Sequence, residues 1–115
     1  VFSDPPLNEA EAARFPFLPP AAARAGFRAE HLMLGPPPPG CFGFEGQVVV
    51  TEITGSESYV HVDVGGARWV ALARGVVDLP SGEDVQLHID PMHVMAFDAA
   101  GRFVWTVRSG LEAAA

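Results

Sequence analysis

The stretch FEGQVVVTEITGSESYVHVDVGGARWVALAR, from Phe44 to Arg74, decides the fold. Within it Val48 and Val50 alternate with Gln47, Val49 and Thr51, and Tyr59, His61 and Asp63 alternate with Val60, Val62 and Val64. A two-residue period belongs to half-buried strands, because successive side chains on extended backbone point to opposite faces. Thr54-Gly55-Ser56-Glu57 interrupts the first pair of runs and Gly65-Gly66 the second. Glycine reaches positive φ without a Cβ clash, which tight hairpin connections need. The stretch therefore reads as a three-stranded antiparallel meander.

Downstream, the loop from Gly75 to Glu83 carries a Pro80-Ser81-Gly82 turn signal. Asp84 to Asp90 alternates again, with Val85, Leu87 and Ile89 predicted inward, and Pro91 closes it. Val94 to Asp98 and Arg102 to Val107 read as two more strands joined by Ala99-Ala100-Gly101, and the tail after them frays or forms a short helix. Upstream, Gly35-Pro36-Pro37-Pro38-Pro39-Gly40 is either a ligand for a proline-recognising module or a stiff surface loop. The loop is the preferred reading, since four prolines cannot join a ladder. Gly26 to Leu32 reads as a brief extended segment followed by a turn, with Leu32 and Leu34 as core anchors. Phe15 to Leu18 is expected to be a short strand ended by Pro19-Pro20, and Glu9 to Arg14 to favour helix but to be too short to hold one. Five to seven short strands with Pro and Gly punctuation predict an all-β fold, a small OB-like antiparallel barrel.

A chain of 115 residues makes one domain with a single modest core. At 49% hydrophobic and 18% charged it is globular in composition. Its formal charge of −7, with seven cationic residues that are all Arg, argues against nucleic acid as the main partner. The lone Cys41 has no internal disulfide partner, and no apolar run reaches the roughly 18 residues of a spanning helix. With no signal peptide at the start, a cytosolic setting is expected. The chain opens at Val1 inside what reads as a connecting segment, so a longer polypeptide with its remainder N-terminal is expected.

Several residues invite chemical readings. His61 and Asp63 share one strand face, and His88 and Asp90 another, so the four would meet as metal ligands if those strands were neighbours. No C-x-x-C or H-E-x-x-H spacing accompanies them, and alternating polar residues on a solvated face make the same pattern, so no metal is assigned. Ser56 and Ser58 lie near Glu57 and His61, but no G-x-S-x-G elbow is present and no catalytic residue is assigned. Glu83 and Asp84 read as an exposed turn. No phosphate loop of the G-x-x-x-x-G-K-[ST] kind occurs, so this chain by itself takes no cofactor. Trp69, Trp105, Phe97 and Phe103 read as core and interface aromatics rather than a base-stacking platform.

Three stretches together resemble the C-terminal regulatory region, of the transport-associated OB (MOP/TOBE) type, of the ATP-binding subunit of carbohydrate-type ABC importers. Phe2-Ser3-Asp4-Pro5-Pro6-Leu7-Asn8 is similar to the segment leaving the nucleotide-binding domain, and Gly26-Phe27-Arg28-Ala29-Glu30-His31-Leu32 resembles that family's G-[IVF]-R-P-E-H-[LI] signature. Val48, Glu52, Gly55, Ser56, Glu57, Val60 and Val62 match its long strand-turn-strand pattern, and Ile89-Asp90-Pro91 with Val94 to Asp98 is similar to its closing strands. Ala29 departs from the usual proline, and the interval from Asn8 to Gly26 is shorter than in the family. A looser turn and an exposed strand edge are expected from these two differences.

The resemblance implies residues 1–8 as a linker from a missing nucleotide-binding domain, 9–107 as an OB-like regulatory domain and 108–115 as a tail. It implies a non-catalytic module that helps two ATPase subunits stay together in a homodimer, for sugar or glycerol-phosphate import. ATP and Mg would bind in the missing domain. The other expected partners are the chain's own nucleotide-binding domain, the membrane subunits indirectly and a cytosolic regulator, at the inner face of the cell membrane. The contact surface is expected around Glu30, His31, Ser56, Glu57 and Tyr59. The alternative is a small-ligand or oxyanion-binding barrel of the molybdate type, although lysine is absent here.

Overall fold

The computed structural model of the chain describes residues 7–105. Among the described residues, nine strands lie in chain order: β1 (Leu7–Glu11), β2 (Arg24–Arg28), β3 (Met33–Leu34), β4 (Phe42–Ile53), β5 (Glu57–Val64), β6 (Ala67–Arg74), β7 (Asp84–Ile89), β8 (Met95–Phe97) and β9 (Phe103–Trp105). They form a five-stranded sheet in the order β3-β7-β4-β5-β6 and a four-stranded sheet in the order β1-β2-β8-β9. Every pairing is antiparallel. The larger sheet curls until β3, with the 3-10 turn Ala29–His31 before it, lies against β6. This is the small OB-like barrel that the strand pattern predicts.

The meander is present as β4, β5 and β6. Gly65 (φ 57°) and Gly66 (φ 88°) supply the two positive-φ residues of a two-residue hairpin loop. That loop sets the register from Val64↔Ala67 to Glu57↔Arg74. In β5 the inward positions Ser58, Val60, Val62 and Val64 are buried. In β4 the alternation breaks. A bulge between Val48 and Val50 leaves Val48 2% exposed and Val50 47% exposed, so Val50 is not a core residue.

Strand β4 is the spine, because its first half pairs with β7 and its second half with β5. Past the end of β7 the free edge of β4 is covered by the 75–83 loop. Val48 N–H donates to Glu83 O (2.8 Å), Gly82 N–H to Val48 O (2.7 Å) and Thr51 Oγ1 to Leu79 O (3.3 Å). Gly46 allows the two neighbours of β4 to approach, since a Cβ there would lie 3.0 Å from Asp63 O and 3.1 Å from Leu87 Cδ1.

An aromatic hub joins the two sheets. Phe15 packs against Phe27 of β2, Phe44 of β4 and Trp69 of β6, with ring centroids 5.5 to 6.2 Å apart. Trp69 and Phe27 are fully buried and Phe15 nearly so. Phe15 to Leu18 is therefore not a strand. It is a turn that delivers one ring to the centre, and the expectation from β-propensity fails because a single anchoring side chain needs no ladder.

Glu9 to Arg14 also departs from its reading. Leu7–Glu11 is a strand with Asn8 and Ala10 buried, followed by the 3-10 turn Ala12–Arg14. Helical propensity yields here to pairing with β2 along all five residues. Leu7 and Asn8, read as the end of the 1–8 linker, are the first two residues of that strand.

The turn at Ala29 is closed. Ala29 is fully buried and its carbonyl accepts from Leu32 N–H at 3.2 Å, so alanine serves where a proline was expected. The four prolines lie outside any strand, with Pro37 packed over Gly43 of β4. Val1, residues 2–6 of the stretch from Phe2 to Asn8, the predicted end of the last strand at Thr106 and Val107, and the tail lie outside the described residues. Among the described residues no helix is long and apolar enough to cross a membrane.

Candidate functional site

Where the curled sheet meets itself, a cleft of about 750 Å³ opens between the Ala29–His31 turn with β3 on one side and the β5–β6 hairpin on the other. Glu30 and His31 come from the turn, Met33 and Leu34 from β3, Glu57 and Tyr59 from β5, Leu72, Ala73 and Arg74 from β6, and Val77 from the following loop. The floor is apolar, and two carboxylates with one guanidinium mark its rim. Tyr59 stands opposite Leu72 and Glu57 opposite Arg74, as the Gly65-Gly66 loop dictates.

Four of the five residues singled out from the sequence, Glu30, His31, Glu57 and Tyr59, thus line one cleft although they come from opposite sides of the barrel seam. Ser56 does not line it. It is exposed in the turn before β5, and its carbonyl accepts from Gly75 N–H at 2.7 Å. Leu72 and Arg74 are the residues sequence reasoning missed. Counting outward from the two-residue glycine loop would have found both.

His31 also stacks on His93 of the 3-10 turn Pro91–His93, with ring centroids 3.8 Å apart and planes 9° apart. Its pKa is lowered from the ordinary histidine value of 6.5, first by desolvation and then by the charge of His93 and of Arg28, while Glu30 acts in the opposite direction.

The other polar candidates have structural partners. Ser58 is fully buried, and its hydroxyl donates to Gly75 O and accepts from Val77 N–H, both at 2.9 Å. It laces the 75–83 loop to β5, on the face opposite His61. Strands β5 and β7 flank β4 and are not neighbours, so His61 and Asp63 are held apart from His88 and Asp90. Asp63 Oδ1 accepts from Gly66 N–H, Asp90 Oδ1 accepts from Met92 N–H, and His88 Nδ1 lies 2.9 Å from Gly35 O. His61 Nε2 is 2.7 Å from Glu52 Oε1 but not aligned for a hydrogen bond, so the contact is one of proximity. Among the described residues no group of three or more His, Cys, Asp or Glu is placed to hold a metal ion.

Trp69 is core, as predicted, and donates from Nε1 to Glu9 O at 3.3 Å. Phe97 and Phe103 meet edge to face at 6.2 Å on the smaller sheet, with Phe103 left 54% exposed.

Known proteins place this arrangement. The chain is 45% identical over 62 residues to the uncharacterized ABC transporter ATP-binding protein y4oS of Sinorhizobium fredii, a match covering 54% of this chain and 15% of that protein. The chain thus corresponds to a small part of that relative's length. The model of the TOBE domain family matches residues 25–97, from the second residue of β2 to the last of β8, so it takes in the whole larger sheet and both crossovers between the sheets. Sharing this span and the barrel it builds, the chain belongs to the TOBE domain family.

Proposed function

We propose that the chain is the C-terminal regulatory and dimerisation portion of the ATP-binding subunit of an ABC importer for a sugar or glycerol phosphate. The observation that carries the reading is the 62-residue segment shared with an ABC transporter ATP-binding protein. In this reading ATP, Mg and all bond-breaking belong to a nucleotide-binding portion of the subunit. The subunit works at the cytoplasmic face of the membrane beside the transporter's membrane subunits. The domain pairs with its copy in a second subunit, which raises the effective concentration of the catalytic halves so that they need not part after each hydrolysis.

The seam cleft is the contact surface for that copy or for a cytosolic regulator. A cleft lined by Tyr59, Leu34, Leu72 and Val77 together with the charged Glu30, Glu57 and Arg74 has the mixed apolar and polar make-up of a protein contact. A regulator that binds one arrangement of the pair better than another shifts the cycle, and only differential binding does so. The oxyanion alternative gains nothing from a cleft bearing two carboxylates, and calorimetry with molybdate and tungstate is expected to give no binding heat.

Sedimentation of the full-length subunit at micromolar concentration tests the contact. A dimer is expected, weakened at least about tenfold by Tyr59→Arg, which corresponds to about 1.4 kcal/mol. A strictly monomeric subunit, or a Tyr59→Arg dimer of unchanged affinity, overturns the assignment of this surface to the dimer. ATPase stimulation of the reconstituted transporter by sugars or glycerol 3-phosphate, against amino acids and metal ions, tests the solute class.

A further inference from the structure

The 3-10 turns Ala29–His31 and Pro91–His93 are the two crossovers between the sheets, the first leading from β2 to β3 and the second from β7 to β8. Because β2 pairs with β8 and β3 with β7, the crossovers run side by side in opposite directions. Their sequences echo each other, Ala29-Glu30-His31-Leu32-Met33 against Pro91-Met92-His93-Val94-Met95. In both, the turn is closed from the residue after the histidine. Leu32 N–H donates to Ala29 O at 3.2 Å and Val94 N–H to Pro91 O at 3.1 Å, and Leu32 and Val94 are fully buried beneath. The matched histidines meet there, with ring centroids 3.8 Å apart and planes 9° apart.

We infer that His31 and His93 form a proton-sensitive clasp, which holds the two crossovers together while the His31 ring is neutral and loosens them when acid charges it. Two neutral rings with centroids 3.8 Å apart are in van der Waals contact, whereas a charge on His31 is opposed by His93 at this distance. Loosening the joint acts on both sheets at once, because each crossover is the only covalent link between its two strands.

The surrounding charges set the direction. Glu30 lies on the turn of His31 and Arg28 at the end of β2, and Glu57, Tyr59 and Arg74 face His31 across the cleft. On the other crossover the Asp90 carboxylate is engaged with Met92 N–H. His31 has a folded pKa below 6.5, lowered mainly by desolvation and then by His93. The unfolded chain therefore takes up its proton first as pH falls. The clasp's contribution is complete above about 6.5 and is lost as pH falls through the folded value of His31. This inference goes beyond the proposed function and does not depend on what docks in the cleft.

Thermal melting of the full chain from about pH 7.5 to about pH 5 is the test, with His31→Gln, His93→Gln and the double variant alongside. Wild type is expected to lose on the order of 4 °C more than the double variant over this range, with His31→Gln removing most of the excess and His93→Gln a smaller part of it. Parallel curves for wild type and double variant overturn the inference. His93 is exposed, so His93→Gln keeps the fold, and the NMR titration of the His31 imidazole decides the matter even if His31→Gln is destabilised. The His31 midpoint is expected to rise toward 6.5 in His93→Gln. An unmoved midpoint refutes the coupling.

Discussion

Asn8 is expected to be among the costliest polar residues in the chain to replace. Its side chain is 4% exposed and acts as a one-residue strand against the outer edge of β6, with Nδ2 donating to Val70 O at 2.9 Å and Oδ1 accepting from Val70 N–H at 2.8 Å. Strand β6 ends its sheet, so no neighbouring strand would take over those two groups. Asn8→Ala removes two hydrogen bonds of about 1 kcal/mol each and leaves a peptide N–H and C=O unmatched at a partly covered edge. We expect a total of about 2–4 kcal/mol after allowing for some access of water. At roughly 4 °C per kcal/mol for a domain of this size, the melting temperature falls by about 8–16 °C. Urea denaturation measures the free energy, and hydrogen exchange at the Val70 amide reads the contact itself. That amide is expected to be protected in wild type and to exchange at least about tenfold faster in Asn8→Ala. Asn8→Asp separates bonding from packing, because the carboxylate can accept from Val70 N–H but places a second acceptor against Val70 O. It is expected to be as damaging as alanine. A loss below about 0.5 kcal/mol in Asn8→Ala, or unchanged exchange at Val70, refutes the reasoning that this side chain ties the smaller sheet to the larger.

Trp69→Ala is expected to cost about 3–5 kcal/mol, measured by urea denaturation, because a fully buried ring at the meeting point of Phe15, Phe27 and Phe44 leaves a cavity that four elements cannot collapse into. Gly46→Ala is expected to cost about 1–3 kcal/mol in the same assay, since its Cβ would sit 3.0 Å from a backbone oxygen that the β5 ladder holds in place.

The larger sheet was legible from local pattern. Val60, Val62 and Val64 alternate with polar residues, Gly65-Gly66 dictates a two-residue loop, and Val85, Leu87 and Ile89 repeat the period, so β4 to β7 follow from side-chain direction and turn chemistry. Even the cleft was half visible, because the hairpin register places Arg74 opposite Glu57 and Leu72 opposite Tyr59. What was not legible has a common cause, namely that each feature depends on a partner on another strand or turn, beyond the reach of local pattern. Asn8 reads as linker until Val70 is brought beside it, Phe15 reads as strand until Trp69 stacks on it, and Val50 reads as core until the bulge turns it outward. The stacking of His31 on His93 is of the same kind, since nothing within either short turn announces the other. Amino-acid order by itself determined β4 to β7 and the turns between them, because those depend on backbone preferences within a few residues. Tertiary structure alone decided which polar groups became structural and which face a cleft, because burial and hydrogen-bond partners exist only once the sheet has closed on itself.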